Sequence, residues 1–125
     1  MLKRLLLLHA AVEMIVGLLL LWDPSLVGFA DGSHPETRHL AKVYGILAFI
    51  FGVISYQLWR NFESTDMFRK IMLSIMAFHL MIGFYVFGLF RQGVLILPAA
   101  AAYHLVMAAA LGWAYMQEAA GKRDQ

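Results

Sequence analysis

The chain has 125 residues, of which 62% are hydrophobic and 14% are charged, whereas soluble domains average roughly 45–50% and about 25%. This composition excludes an ordinary soluble globule. Four membrane helices would use roughly 80 positions, which leaves no room for a separate catalytic domain. The net charge of +2 is too small and dispersed for a nucleic-acid partner, and the absence of cysteine excludes disulfides and thiolate metal ligands.

Four apolar runs follow one another along the sequence, and each is long enough to cross a bilayer as a helix. They predict an all-α, polytopic membrane protein: a four-transmembrane-helix bundle with up-down-up-down connectivity, in which residues 1–125 form a single domain. The helices are expected near residues 3–22, 34–60, 67–90 and 94–117.

Capping residues mark the starts of the later helices. Ser33 and Glu36 have the spacing of a capping box at the start of the second helix. Pro98 fits a first helical turn better than a helix interior, because it lacks an N–H group and clashes with the preceding turn. The third helix has three adjacent N-cap candidates, Ser64, Thr65 and Asp66.

The distribution of basic residues predicts the orientation. Cytoplasmic segments of membrane proteins carry an excess of lysine and arginine. With the N-terminus inside, seven basic residues would lie inside and three outside: Lys3, Arg4, Arg60, Arg69, Lys70, Lys122 and Arg123 against Arg38, Lys42 and Arg91. We therefore expect both termini in the cytoplasm.

Small residues recur along one face of the second helix and along part of the fourth. Such stripes let membrane helices approach closely, so both are interpreted first as packing surfaces. The stripe of the second helix is Ala41, Gly45, Ala48, Gly52 and Ser55, and that of the fourth is Ala101, Ala108 and Gly112.

Ionisable residues inside the apolar runs are the main indication of a function, because a charge in hydrocarbon is costly unless it is paired, neutral or hydrated. His9 and Glu13 share a face of the first helix, one turn apart. At about 1.5 Å of rise per residue, Glu13, His79 and His104 fall at about the same depth. His9 lies about one turn towards the cytoplasm.

This cluster of His9, Glu13, His79 and His104 has the ligand types of a zinc, non-haem iron or manganese site. It could instead relay protons, or form a structural polar network. Haem between His79 and His104 is less favoured, because the short connection at Arg91-Gln92-Gly93 predicts closely packed helices. Copper is also disfavoured, because the eight methionines show no regular ligand spacing level with the histidines.

The helix count, the short third connection and the run from Pro98 to Tyr115 into a small-residue final helix resemble, in outline, the DoxX-like group of small bacterial membrane proteins. The resemblance covers the whole chain but no diagnostic motif. It implies a location in a bacterial inner membrane and an accessory part in membrane redox or quinone-linked complexes. No family site residue can be assigned to a position of this chain.

Two functions remain open on the sequence. The first is a ligand-binding or metal-binding protein, or an accessory subunit, in a homo-oligomer or a larger membrane complex. The second is a small membrane enzyme that acts on a lipophilic substrate such as a quinone or a sterol-like ring, with Glu13 as candidate general acid or base. An enzyme needs a cavity that reaches the histidines, whereas a structural network needs none.

Overall fold

The computed structural model describes residues 1–29, 35–62 and 65–120. The described residues form four α-helices, as predicted, and each is long and apolar enough to cross a membrane. Their bounds are α1 Leu2–Trp22, α2 Pro35–Arg60, α3 Asp66–Arg91 and α4 Ala99–Ala120, with a short 3₁₀ helix, Pro24–Val27, after α1.

Side-chain caps fix two of the helix starts. The Thr65 hydroxyl accepts a hydrogen bond from the Phe68 N–H at 3.1 Å, which confirms one of the three predicted caps of α3. The Asp23 carboxylate caps the 3₁₀ helix by accepting from the Ser25 N–H, and this bond holds the pKa of Asp23 below its usual range. The Ser33 half of the predicted capping box lies outside the described residues.

The fourth helix begins at Ala99 rather than near residue 94. Pro98 disfavours a helical conformation at the residue before it, so the regular helix follows the proline. The backbone ahead of Pro98 pairs with the α1–α2 connection instead: Phe29 and Leu95 form an isolated bridge, and the Ile96 N–H donates to the Gly28 carbonyl at 2.9 Å.

Glycines let the backbones of α1 and α2 approach closely. A Cβ atom on Gly17 would lie 2.7 Å from the Gly45 carbonyl oxygen, and a Cβ atom on Gly52 would lie 2.9 Å from the backbone nitrogen of Met14. Such contacts are shorter than packed side chains allow, so these positions require glycine. The whole predicted stripe of α2 is buried, and the glycine contacts identify α1 as its partner.

The pairing of α3 with α4 relies less on small residues. Gly83 packs against the Leu105 side chain, and of the predicted α4 stripe only Ala101 is fully buried. The two pairs, α1–α2 and α3–α4, meet through an apolar cluster near the α2–α3 connection: Leu2, Leu6, Phe68, Met72, Ile75, Met107, Leu111 and Ala114. Large apolar side chains also cover the outside of the bundle, including Ile15, Leu18, Phe84 and Val106.

Candidate metal centre

The structure brings together all four ionisable residues that the sequence singled out. His9 and Glu13 lie on the buried face of α1, His79 lies on α3 and His104 on α4. None of the four side chains reaches the outer surface, since each residue is at most 4% exposed. The shared depth predicted from helix rise therefore corresponds to direct contact between the helices.

A continuous chain of hydrogen bonds joins the three imidazoles to two hydroxyl groups. Ser55 Oγ lies 2.7 Å from His9 Nδ1, and His9 Nε2 lies 2.5 Å from His79 Nε2. His79 Nδ1 lies 2.7 Å from His104 Nδ1, whose ring meets the Tyr44 hydroxyl through Nε2 at 2.6 Å. Both nitrogens of every imidazole are therefore engaged, and all four helices contribute to the chain.

The Glu13 carboxylate lies next to these hydrogen-bonded imidazoles but forms no hydrogen bond with them. Its Oε1 atom lies 3.8 Å from His9 Nε2 and 3.9 Å from His79 Nε2, which is too long for a hydrogen bond. Oε1 is buried and has no hydrogen-bond partner. Ligand atoms of His9, Glu13 and His79 lie within 4.8 Å of one another, so these three residues are positioned to hold a metal ion.

His104 is not part of this group of three residues, but it contacts one of its members, His79. Its Nδ1 atom contacts the nitrogen of His79 that faces away from His9. Along the hydrogen bonds, the order is therefore His9, His79, His104. The atoms that could bind a metal ion meet where His9 contacts His79. His104 is placed to orient His79 through its ring nitrogen.

A cavity of about 590 Å³ adjoins the cluster. It lies between the α1–α2 and α3–α4 pairs, and its walls are mainly apolar. Four polar residues line its inner end: Glu13, Tyr44, Tyr103 and His104. Thr37 and Gln92 line it near the connections at the other end. The cavity thus reaches His104 and Glu13, whereas His79 is not among its lining residues.

Three site residues were missed from the sequence. Ser55 was assigned to packing alone, and Tyr44 and Tyr103 were not singled out. Tyr44 could have been found from its helical phase, because it lies three residues after Ala41 and four before Ala48 and so shares the face of the buried stripe. Tyr103 precedes His104 directly, and no spacing rule distinguishes it from the other tyrosines.

No protein-family model, curated protein or solved structure matches this chain. The His/Glu cluster and the cavity beside it are therefore the features that indicate a function. The cluster supplies nitrogen and oxygen ligands in a buried setting, and the cavity supplies an apolar space that ends at the same carboxylate.

Proposed function

We propose that this is an integral membrane protein that binds one divalent metal ion through His9, Glu13 and His79. The observation that supports this most directly is the buried Oε1 atom of Glu13, which has no hydrogen-bond partner and faces two imidazole nitrogens. A buried carboxylate oxygen without a partner is costly in a protein interior and more so within a membrane. A cation bound among the three ligand atoms would remove that cost.

The surroundings of the ligands also suit a metal ion. Histidine ligands in metal sites usually use their second ring nitrogen to contact a fixed polar group, which orients the ring. Ser55 Oγ occupies this position on His9, and His104 Nδ1 occupies it on His79. Both Nε2 atoms are therefore held facing the Glu13 carboxylate.

Two imidazoles and one carboxylate favour zinc, iron(II) or manganese over the alkaline-earth ions, which prefer oxygen ligands. With metal–nitrogen bonds of about 2.0–2.1 Å, a tetrahedral ion holds two such nitrogens about 3.4 Å apart. The Nε2 atoms of His9 and His79 lie 2.5 Å apart, so they would have to separate by roughly 1 Å to hold such an ion, which would replace the hydrogen bond between them. A haem is disfavoured, because His79 and His104 touch each other at 2.7 Å.

Metal analysis of detergent-purified protein tests the proposal. We expect about one ion per chain, a melting temperature that rises with added zinc, iron or manganese because bound metal stabilises the folded form, and loss of both in His79→Ala. His39→Ala is the matched control, because His39 is an exposed histidine on α2. Wild-type protein without stoichiometric metal, and with no stabilisation by any of the three ions, would contradict the proposal.

His104→Ala separates a metal ligand from an orienting residue. A variant that keeps the ion but binds it about 10–100-fold more weakly matches an orienting partner. Complete loss of the ion would make His104 a ligand itself, as the sequence suggested. If the cluster is only structural, both histidine variants should melt at lower temperature without any metal, because each leaves buried polar groups unpaired.

Our proposals for the membrane and the orientation of the helices are those expected from the sequence. We propose that the four helices cross a bacterial inner membrane up-down-up-down, with both termini in the cytoplasm. The apolar outer surface of the bundle supports contact with lipid. A role as an accessory subunit of a membrane redox complex, in a homo-oligomer or a larger assembly, would fit the resemblance to DoxX-like proteins.

A second candidate function is a small membrane enzyme acting on a lipophilic substrate such as a quinone or a sterol-like ring. The observation that favours it is the cavity, which brings an apolar space to Glu13 and His104. Glu13 would act there as general acid or base, beside the imidazole chain as a proton carrier. In an enzyme of this kind, Glu13→Gln should abolish turnover of membrane-extracted lipids, followed by mass spectrometry, while the bundle still folds.

A further inference from the structure

The cavity has the size and lining of a binding site for a lipophilic molecule. Its volume of about 590 Å³ lies within the range of about 300–1,000 Å³ found for small-molecule sites. Three of its lining residues, Val43, Leu47 and Tyr85, are also exposed on the sides of α2 and α3. The cavity is partly open rather than enclosed, so in a membrane a lipophilic ligand would enter it from the surrounding hydrocarbon.

One polar atom at the inner end of this cavity is unused by the metal centre. The Tyr103 hydroxyl is buried and lies close enough to the Glu13 carboxylate for a weak hydrogen bond, but it forms no contact of normal hydrogen-bond length and angle within the described residues. Buried polar groups in proteins are almost always paired. A buried hydroxyl that lacks such a contact, on a residue that lines a cavity, indicates a place where a bound ligand would supply the partner.

We propose that the cavity binds a lipophilic alcohol whose hydroxyl group lies between Tyr103 and Glu13. Such a hydroxyl can accept a hydrogen bond from the Tyr103 O–H and donate one to the Glu13 carboxylate. An alkane satisfies neither group, an ether or ketone can only accept, and a fatty acid places a second carboxylate beside Glu13. The proposal goes beyond the metal centre but shares Glu13 with it: Oε1 faces the two imidazoles, and the alcohol would donate to the other oxygen, Oε2.

The residues that line the cavity indicate where the apolar tail of such an alcohol would lie. Glu13 and Leu20 both line it, and they are about 10 Å apart along α1 at 1.5 Å of rise per residue. The lining continues to Phe29 and Leu95 beneath the connections between helices. An apolar tail would therefore run parallel to α1, away from Glu13.

Photolabelling in lipid nanodiscs tests this inference on the whole protein. The probe is a tetradecanol that carries a diazirine in its tail, and labelled residues are identified by peptide mass spectrometry. We expect labels on cavity-lining residues such as Leu20 and Leu95. Unlabelled tetradecanol should compete at least ten-fold better than tetradecyl methyl ether or tetradecane, because only the alcohol both donates and accepts.

Variants show whether Tyr103 recognises the head group. Tyr103→Phe should weaken competition by tetradecanol about ten-fold and leave metal content unchanged, so that failure here is distinguishable from failure of the metal proposal. Tyr85→Phe is the matched control, because Tyr85 lines the same cavity but is exposed. Val16→Phe, which places a larger side chain in the cavity wall, should reduce labelling of the cavity residues.

Several outcomes would overturn the proposal. Equal competition by tetradecane and tetradecanol would mean that the cavity is apolar space without head-group recognition. Stronger competition by tetradecanoic acid or tetradecylamine would assign the cavity to a charged amphiphile instead. Labelling confined to the outer surface of the bundle, unchanged in Val16→Phe, would mean that the alcohol contacts only the lipid-facing side chains. The comparison of competitors uses wild-type protein, so it stands even if a variant fails to fold.

Discussion

Ser55 contributes both to the packing of α2 and to the hydrogen bonds of the His/Glu cluster. It is the polar member of the small-residue stripe of α2, and it is fully buried against α1. Its Oγ atom lies 2.7 Å from His9 Nδ1. A serine here is small enough for close helix packing and also fixes the orientation of the first imidazole in the chain.

Replacing this hydroxyl group separates its two contributions. Ser55→Ala keeps the close packing but leaves a buried imidazole nitrogen unpaired, so we expect the free energy of unfolding in mixed micelles to fall by about 1–3 kcal/mol. Metal affinity should fall about 10–100-fold, because the ligand ring loses its orienting contact. Ser74→Ala is the control, since the exposed Ser74 hydroxyl donates only to the Lys70 carbonyl of its own helix. Equal effects in the two variants would contradict a special role for Ser55.

At the scale of helices, α1 and α2 form the closest pair. Their approach depends on glycines whose missing Cβ atoms would otherwise lie within 3 Å of the opposite backbone. Backbone atoms cannot move aside as flexible side-chain ends can. The pair is therefore a rigid support for His9 and Glu13, whereas α3 and α4 meet through larger and more adaptable side chains.

Glycine substitutions distinguish this contact from ordinary helix positions. Gly17→Ala should lower the free energy of unfolding by about 1–3 kcal/mol or more, because the added methyl group forces the helices apart. Gly88→Ala should be neutral or stabilising by up to about 1 kcal/mol through helix propensity, since nothing lies within 4 Å of its added Cβ atom. Thermal or denaturant unfolding measures both. A tolerated Gly17→Ala would show that the two helices do not require contact at this distance.

The sequence predicted which face of each helix is buried, but it did not predict which helices pack against each other. Period and residue size identified the buried stripe of α2 and placed Glu13, His79 and His104 at one depth, because both follow from helix geometry within a single element. They could not show that α1 covers the stripe, or that His104 contacts His79 rather than Glu13. Those facts depend on how the helices pack against each other. The late start of α4 has a similar origin, because residues 95 and 96 pair with the α1–α2 connection.

At the scale of the whole molecule, two helix pairs are joined by polar contacts near their middle and by an apolar cluster at one end. The cavity separates the pairs over the remaining length. Metal binding at His9, Glu13 and His79 would replace the His9–His79 hydrogen bond between α1 and α3 by stronger bonds to the ion, and so would strengthen the junction between the pairs. Without this junction, the pairs would be held mainly by the apolar cluster at one end and by the Phe29–Leu95 bridge at the other.

The proposed orientation can be measured directly, because the chain contains no cysteine. Leu26→Cys, at an exposed position after α1, should react with a membrane-impermeant maleimide in intact cells. Asn61→Cys, at an exposed position after α2, should react only after lysis. Each variant is the control for the other. The reverse pattern would place both termini outside and contradict the count of basic residues.

The hydrogen bonds that link the three imidazoles also have a direction, from donor to acceptor. Each neutral ring carries one proton, so the hydrogen bonds from Ser55 to Tyr44 can all point one way or all point the other. A metal ion on Nε2 of both His9 and His79 would keep the protons of these rings on Nδ1, and His104 would then donate to the Tyr44 oxygen. The Tyr44 proton would be free to turn into the cavity, which Tyr44 lines. Occupancy of the centre would thereby change the polarity of the cavity wall without moving a helix, and by linkage a bound molecule that prefers that wall would favour the loaded centre.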